Sequence, residues 1–130
     1  MNILVIGEKK LKTELQTMLT PFHTRIETVD AEEGMKRRLK IFRPVFSVFD
    51  DDYFSANPAK RSRLLKILRD SRGPFVLISS LRNPDVILDA KKQGASDYIL
   101  RPYNTREFIM RFNAVIRRRK RIACASADAG

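Results

Sequence analysis

The sequence predicts one α/β domain built on a parallel sheet, and three observations support this prediction. Five short apolar runs alternate with five amphipathic stretches along the 130 residues. The links between them are short, and strict alternation of strands with helices is typical of a parallel sheet covered on both faces by right-handed crossovers. The hydrophobic fraction of 43% is enough for a sizeable core in a chain of this length.

The strand predictions rest on the apolar runs. The third run, Val45-Phe46-Ser47-Val48-Phe49, has β-branched and aromatic residues and no turn former, which is typical of a strand buried on both faces. This run leads directly into Asp50-Asp51-Asp52. The predicted strands are, in chain order, Ile3–Ile6, Arg25–Val29, Val45–Phe49, Phe75–Ile78 and Tyr98–Leu100.

The helix starts are predicted from capping residues. Asn57-Pro58 and Asn83-Pro84 each place a capping asparagine ahead of a proline at the first helical position. A capping box predicts the start of two other helices, with Asp30 and Glu33 at the second and Asn104 and Glu107 at the last.

The ends and buried faces of the helices follow from punctuation and spacing. Pro21 is predicted to stop the first helix, and Gly94 fits the C-terminus of the fourth. The residues predicted to face the core are Leu11, Leu15, Met18 and Leu19 in the first helix, Met35, Leu39 and Phe42 in the second, and Phe108, Phe112, Val115 and Ile116 in the last.

The C-terminal end has a different composition. Arg117-Arg118-Arg119-Lys120-Arg121 continues the last helix, and small, weakly polar residues follow. We expect residues 1–121 to form the domain and residues 122–130 to form a flexible tail, or the start of a linker to an output domain.

The charge balance raises the question of an acidic partner. The chain has 26 Lys and Arg against 15 Asp and Glu, a net charge of +11, which favours either a solvated basic surface or a partner such as nucleic acid. The basic tract has no aromatic platform for single strands, and no helix-turn-helix is evident. We therefore expect DNA contact chiefly through an output domain outside this sequence.

The remaining composition is typical of a soluble cytoplasmic protein. Cys124 is the only cysteine, so no intramolecular disulfide is expected. Neither a secretory signal nor an apolar run long enough for a membrane span is visible.

The candidate site lies where the strands end. Because the carboxyl ends of parallel strands meet at one edge of a sheet, we expect Gly7, Glu8, Asp50, Ser79-Ser80 and Arg101 to converge. Carboxylates bind hard cations such as Mg²⁺, and a hydroxyl and a cation stabilise phosphoryl oxygens. The grouping is thus suited to holding a metal and a phosphoryl group.

Over about its first 120 residues the chain resembles the receiver domain of bacterial response regulators. The most specific segment is Gly94-Ala95-Ser96-Asp97-Tyr98-Ile99-Leu100-Arg101-Pro102-Tyr103, and Pro44 to Asp50 and Ile78-Ser79-Ser80 match the ends of the family's third and fourth strands. The resemblance implies a flavodoxin-like (βα)5 three-layer sandwich with a parallel sheet of strand order 2-1-3-4-5.

The resemblance also implies roles for the site residues. Asp50 falls at the phosphoacceptor position, Ser79 at the switch hydroxyl and Tyr98 at the switch aromatic. Mg²⁺ would be bound, weakly, by Glu8, Asp50 and the backbone of Asp52. Arg101 would contact the phosphoryl oxygens together with Ser79.

Three departures from the family pattern qualify these roles. Gly7 supplies no carboxylate, Glu8 is one methylene longer than aspartate, and Arg101 replaces the lysine of the family, which is not a conservative exchange. Two states of the pocket follow: a working phosphoacceptor, or a degenerate pocket held by an Asp50–Arg101 ion pair. The Asp52 side chain would either compensate for the acid missing at position 7 or pair with Arg101.

The C-terminal half resembles the winged-helix transcription-factor branch of the family. By that resemblance Asp97, Glu107 and Arg111 would lie on a homodimer face formed by the fourth helix, fifth strand and fifth helix. Ile87 stands where Glu107 would have a basic partner, and Lys91 or Lys92 is expected to substitute.

Taken together, the sequence predicts a regulatory domain and not an enzyme. We expect a receiver-like domain with a partly degenerate pocket that acts through a sensor histidine kinase, another signalling protein or dimerisation. The alternatives are a fully phosphorylatable receiver controlling a DNA-binding output, and a small basic nucleic-acid-binding α/β protein. Gly7-Glu8-Lys9-Lys10 has too few glycines for a phosphate loop, and no nucleophile–histidine pair is visible.

Overall fold

The protein is a five-stranded parallel sheet with helices on both faces, described here from a computed structural model. The structure describes the backbone of residues 1–129 and the side chains of residues 1–118. The strands are β1 (Asn2–Ile6), β2 (Arg25–Val29), β3 (Phe46–Asp50), β4 (Phe75–Ser79) and β5 (Asp97–Leu100), and the helices are α1 (Lys9–Met18), α2 (Glu32–Ile41), α3 (Pro58–Ser71), α4 (Pro84–Lys92) and α5 (Thr105–Ala129). The sheet order β2-β1-β3-β4-β5 confirms the predicted flavodoxin-like fold.

Three of the four predicted helix caps are confirmed. The Asn57 side chain accepts a hydrogen bond from the Lys60 amide, and the Asn83 side chain accepts one from the Asp85 amide. The Asn104 side chain accepts one from the Glu107 amide at 2.7 Å. Each bond satisfies a backbone donor that the first helical turn leaves without a partner.

The capping box predicted from Asp30 and Glu33 is wrong. The N-cap of α2 is Ala31, which makes no side-chain capping bond. The helix starts one residue later than the box requires, and the Asp30 carboxylate instead accepts a hydrogen bond from the Tyr53 hydroxyl at 3.3 Å. A tertiary partner has therefore replaced the local one.

Several predicted boundaries shift by a residue or more, since β1 begins at Asn2, β4 ends at Ser79 and β5 begins at Asp97. The third strand runs from Phe46 to Asp50, so Asp50 belongs to the strand and pairs in register with Ile78. The first helix ends at Met18, and Pro21 lies in a short 3₁₀ turn over Thr20–Phe22. The tail predicted over residues 122–130 lies outside the side chains that the structure describes, so the domain boundary at residue 121 stays a prediction.

The core has two layers because successive residues of a strand face opposite sides of the sheet. Ile3 and Val5 pack with α1 and α5, whereas Leu4 and Ile6 pack with the helices on the other face. In the first layer the Phe112 ring lies edge-on to Phe46 at a centroid distance of 5.3 Å. The predicted inward residues Met18, Leu39 and Ile116 are partly buried at the margins of these layers. No helix in the described part of the chain is long and apolar enough to cross a bilayer.

We predict that Phe112→Ala lowers the free energy of unfolding by about 3–5 kcal/mol, because it leaves a cavity among packed aromatic rings. Phe112 is 1% exposed. Met110 is 62% exposed on the same helix, and Met110→Ala should change stability by less than about 0.5 kcal/mol. Urea unfolding followed by circular dichroism measures both variants, and equal losses would contradict the assigned buried face of α5.

Candidate functional site

One cleft at the carboxyl edge of the sheet brings together Glu8, Asp50 and Arg101 of the predicted group, while Ser79 and Ser80 contact Asp52 beside it. Asp50 is the last residue of β3, Ser79 is the last residue of β4, and Arg101 directly follows β5. The cleft has a volume of about 270 Å³ and is lined by Glu8, Lys10, Leu11, Glu14, Asp50, Asp52, Tyr53 and Arg101. The Asp50 side chain is only 4% exposed at the base of this cleft.

Arg101 joins two carboxylates in the cleft. Its Nη1 donates to Asp50 Oδ1 at 2.9 Å and to Asp52 Oδ2 at 2.7 Å. Burial alone would lower the pKa of Arg101, but the hydrogen bonds to Asp50 and Asp52 outweigh it, and the pKa is raised. The guanidinium is therefore charged at every physiological pH, and the Asp50–Arg101 ion pair of the degenerate alternative is present.

Asp52 is held by the end of β4 as well as by Arg101. The Ser80 amide donates to Asp52 Oδ1 at 3.0 Å, and the Ser80 hydroxyl donates to Asp52 Oδ2 at 2.8 Å. Partial burial alone would raise the pKa of the Asp52 carboxyl. The hydrogen bonds from Ser80 and Arg101 together lower this pKa by more, so the net shift is downward. Asp52 is thus a carboxylate held in place at neutral pH. Two roles were predicted for its side chain, and in the structure it pairs with Arg101.

Gly7 is required by the close packing of Asp50. A Cβ atom at position 7 would lie 2.5 Å from the Cβ atom of Asp50, and the φ angle of Gly7 is +154°. Real Cβ atoms do not approach so closely, so no side chain fits there unless β1 and β3 move apart. The missing acid at position 7 is therefore a consequence of packing at this edge.

Two of the predicted metal ligands, Glu8 and Asp50, line the same cleft, and their binding of Mg²⁺ stays a prediction. Glu8 lines the cleft and precedes α1, but its side chain is exposed. Within the described residues, no group of three or more acidic, histidine or cysteine side chains is placed to hold a metal ion. The Arg101 guanidinium lies between Asp50 and Asp52, so a cation of the chain itself occupies the space between these two carboxylates.

Ser79 and Tyr98, the predicted switch residues, both hold the segment after β4. The buried Ser79 hydroxyl accepts a hydrogen bond from the Leu81 amide at 3.1 Å, and the Tyr98 hydroxyl donates to the Leu81 carbonyl at 3.1 Å. Burial is the main cause of the raised pKa of Tyr98. The ring of Tyr98 therefore lies inside the protein. The hydrogen bond from its hydroxyl connects β5 to the loop that leads into α4.

Sequence reasoning missed a second ion pair at this edge. Asp51 is buried, and its carboxylate accepts a hydrogen bond from Arg61 Nε of α3. Asp51 and Asp52 lie in the turn that follows β3, so the alternation of a strand does not predict the direction of their side chains. Arg61 itself stands among the four basic residues Lys60, Arg61, Arg63 and Lys66, so only the fold identifies it as the partner.

The predicted dimer-face residues form a network within one chain. Arg111 Nη1 donates to both carboxylate oxygens of Asp97 at 3.0 Å, and Arg111 Nε lies 3.6 Å from Glu107 Oε1. The structure therefore brings Asp97, Glu107 and Arg111 together, and their part in a dimer stays a prediction.

Comparison with known sequences identifies a transcriptional regulator as a relative. No protein-family model matches the chain. Over 129 residues, or 98% of the chain, the sequence is 28% identical to the transcriptional regulatory protein AfsQ1 of Streptomyces coelicolor. The match covers 56% of AfsQ1, so the chain spans about half the length of this curated relative.

Solved structures show the same fold. NtrX from Brucella abortus has a TM-score of 0.82 at 19% identity, covering 96% of this chain and 29% of that one. The receiver domain of a putative LuxO repressor from Vibrio parahaemolyticus has a TM-score of 0.79 at 12% identity, covering 95% of each chain. The BeF3-activated receiver domain of Klebsiella pneumoniae RstA has a TM-score of 0.70 at 20% identity, covering 89% of this chain and 97% of that one. The predicted resemblance to response-regulator receiver domains is confirmed, and the chain has their fold.

We predict that Gly7→Ala lowers the free energy of unfolding by about 1–3 kcal/mol, since the new methyl group would clash with Asp50. Gly34 is the matched control, because a Cβ atom there would meet Val29 at an ordinary 3.6 Å. Gly34 lies in α2, so Gly34→Ala should be neutral or stabilising by up to about 1 kcal/mol. Thermal or urea unfolding compares the two variants. A Gly7→Ala protein as stable as the parent would mean that Asp50 does not limit the space at position 7.

Proposed function

We propose that the chain is the regulatory receiver domain of a response regulator in two-component signalling, with a pocket that Arg101 holds in one state. The observation that carries the proposal is the placement of Arg101 Nη1 within hydrogen-bonding distance of both Asp50 and Asp52. The receiver fold and the similarity to a transcriptional regulatory protein support the signalling role.

The Arg101 ion pairs oppose phosphorylation of Asp50 in two ways. Arg101 donates to Oδ1 of Asp50, the proposed phosphoacceptor, and this charged hydrogen bond lowers the nucleophilicity of the carboxylate. The guanidinium also neutralises charge that would otherwise attract a divalent cation. Both effects act on the same transition state, so their costs compound.

The alternative is a fully phosphorylatable receiver. Asp50 lies at the base of an open cleft, and a cation and the Ser79 hydroxyl are near it. These features are also the ones a working phosphoacceptor needs. The two versions of the proposal differ in one respect, which is whether Arg101 gives up Asp50 when a phosphoryl group arrives.

Amide NMR spectra distinguish the two versions. We predict that Mg²⁺ and beryllofluoride, a small phosphoryl mimic, leave the spectrum of the parent chain unchanged, because Arg101 occupies Asp50. Asp50→Ala serves as the control for non-specific effects. Shifts that spread from Asp50 to Ser79, Tyr98 and α5, and that are absent in Asp50→Ala, would instead establish a working phosphorylation switch.

A matched pair of variants tests Arg101 itself. Arg101→Lys keeps the charge but places it on a shorter side chain, so the nitrogen no longer lies where Nη1 meets both acids, and we expect one of the two carboxylates to be released. Arg101→Lys should therefore gain an Asp50-dependent response to the mimic, whereas Arg106→Lys on the exposed start of α5 should not. A silent Arg101→Lys protein would show that Arg101 is not what blocks the pocket.

The proposed output surface is the face of α4, β5 and α5 that contains Asp97, Glu107 and Arg111. Two large apolar side chains are exposed on these helices, Leu88 at 56% and Met110 at 62%. Exposed apolar side chains beside a charged network are typical of an association surface. We propose that this face binds a second copy of the chain, while a sensor histidine kinase or another signalling protein acts on the Asp50 edge.

DNA enters this proposal only through an additional domain. The relative named as a transcriptional regulator is longer than the part that matches this chain. A DNA-binding output domain of that kind would make the sequence-specific contacts, and the domain described here would control it.

We predict that Arg111→Glu abolishes self-association, because it reverses the charge next to Asp97 and Glu107. Sedimentation velocity over a wide range of protein concentration measures the effect. Lys36→Glu makes the same change of charge on an exposed residue of α2 and should leave association unchanged. Arg111→Glu protein that remains folded and associates like the parent would exclude this face.

A further inference from the structure

We propose that the sheet edge opposite Asp50 binds the sugar-phosphate backbone of duplex DNA. This basic edge is defined by six arginines at or near the amino ends of the strands: Arg25, Arg43, Arg69 and Arg72, together with Arg117 and Arg118 of the middle of α5. The proposal concerns a surface of this domain that is remote from Asp50 and does not depend on phosphorylation.

The fold places these arginines in a row. Arg25 begins β2, Arg43 lies in the link from α2 to β3, and Arg72 lies in the link from α3 to β4. The Arg118 guanidinium donates to the carbonyl of Ser96 at 3.4 Å, which brings α5 to the start of β5. Because neighbouring strands lie about 4.8 Å apart, five strands spread this row over about 20 Å, or about six base pairs of a duplex.

Two arginines of this edge lie at backbone positions with positive φ. Among the described residues, the non-glycine residues with positive φ are His23, Arg43 and Arg72, at 49°, 49° and 61°. All of them lie at this edge of the sheet. Glycine or asparagine is the usual residue in this left-handed conformation after a helix. Basic residues in the last turn of a helix already satisfy the preference of its carboxyl end for cations. This preference therefore does not require arginine at the residue with positive φ.

The arginines of the basic edge are available to a partner. Within the described residues no carboxylate lies within ion-pair distance of Arg43, Arg72 or Arg118. The Arg25 side chain is 76% exposed and has a single distant carboxylate contact, with Glu27 at 3.9 Å. Lys91 and Lys92 add exposed charge at the end of α4.

The chemistry of the basic edge favours the backbone of a duplex over a single strand. A sequence-independent single-strand site stacks bases on exposed aromatic rings. The exposed large aromatic side chain in the described part of the chain is Tyr53, at the opposite edge, and Phe42 is buried beneath Arg25. Spaced guanidinium groups without such a platform match phosphate contacts that position a duplex without reading its sequence.

Fluorescence anisotropy with a labelled duplex about twice as long as the basic edge tests the proposal on the full 130-residue chain. Counterion release predicts that log K falls linearly with log salt, with a slope of about −0.9 for each phosphate contacted. Arg43→Asn with Arg72→Asn removes two contacts and keeps residues that tolerate the left-handed backbone. This variant should bind about tenfold more weakly, with a slope smaller by about 2.

The control removes the same charge from the other edge. Lys9→Gln with Arg106→Gln should change DNA affinity less than about twofold, since both residues lie at the starts of helices beside the Asp50 cleft. Equal weakening in the two double variants would mean that net charge alone drives binding, and this would overturn the proposal. Binding that is absent or insensitive to salt, or that favours phosphatidylserine vesicles over the duplex, would also overturn it. The phosphoryl-mimic spectra do not enter this test, so the receiver function and the basic edge stand or fall separately.

Discussion

The organising interaction at the carboxyl edge is the contact of one guanidinium with two carboxylates. The end of β3 brings Asp50 and Asp52 close together, and two unpaired carboxylates at that distance would repel each other. Arg101 removes the repulsion by donating to both, and it enters from β5, on the far side of β4. The same contact ties the loop after β3 to Ser80, so three strand ends are held in one arrangement.

Two departures from the receiver pattern are linked through this contact. Gly7 lets Asp50 pack tightly against β1, and no acid can stand at that position without moving the strands. Arg101 reaches both acids through the single nitrogen Nη1. Compared with the receiver pattern, the edge therefore has one carboxylate fewer, and its cation is an arginine instead of a lysine. Both changes reduce its suitability for a divalent metal while they increase the internal pairing of the pocket.

Some of the charges of the chain match the dipoles of the helices that carry them. In a parallel α/β domain every helix begins at the edge where the preceding strand ends, so helix starts share one edge and helix ends share the other. Acidic residues at helix starts and basic residues at helix ends each match the helix dipole. Glu32, Glu33, Asp85 and Glu107 follow this preference, and so do Arg38, Lys40, Arg69, Lys91 and Lys92. Two helices depart from the preference, since α1 and α3 have no acidic residue in the first turn and carry Lys9 and Lys60 there. The Asp50 edge is therefore mixed in charge.

The sequence by itself determined the local parts of this protein. Apolar runs and capping asparagines located the strands and most helix starts, because those signals act within a few residues. The order of the strands came from the resemblance to receiver domains, and the structure confirmed it. The Asp30 capping box failed because Tyr53, 23 residues away, offered the carboxylate another partner.

Only the tertiary structure decided which charges pair. Asp50 and Asp52 share Arg101, Asp51 takes Arg61, and Arg111 meets Asp97 and Glu107 within one chain. The sequence offered Arg101 as a partner of Asp50 and Asp52 only as one of two open states. It gave no reason to choose Arg61 from its basic neighbours. The distances and directions that select one of them exist only once the strands are side by side, since ion pairs and close packing depend on geometry across the sheet and not on position along the chain.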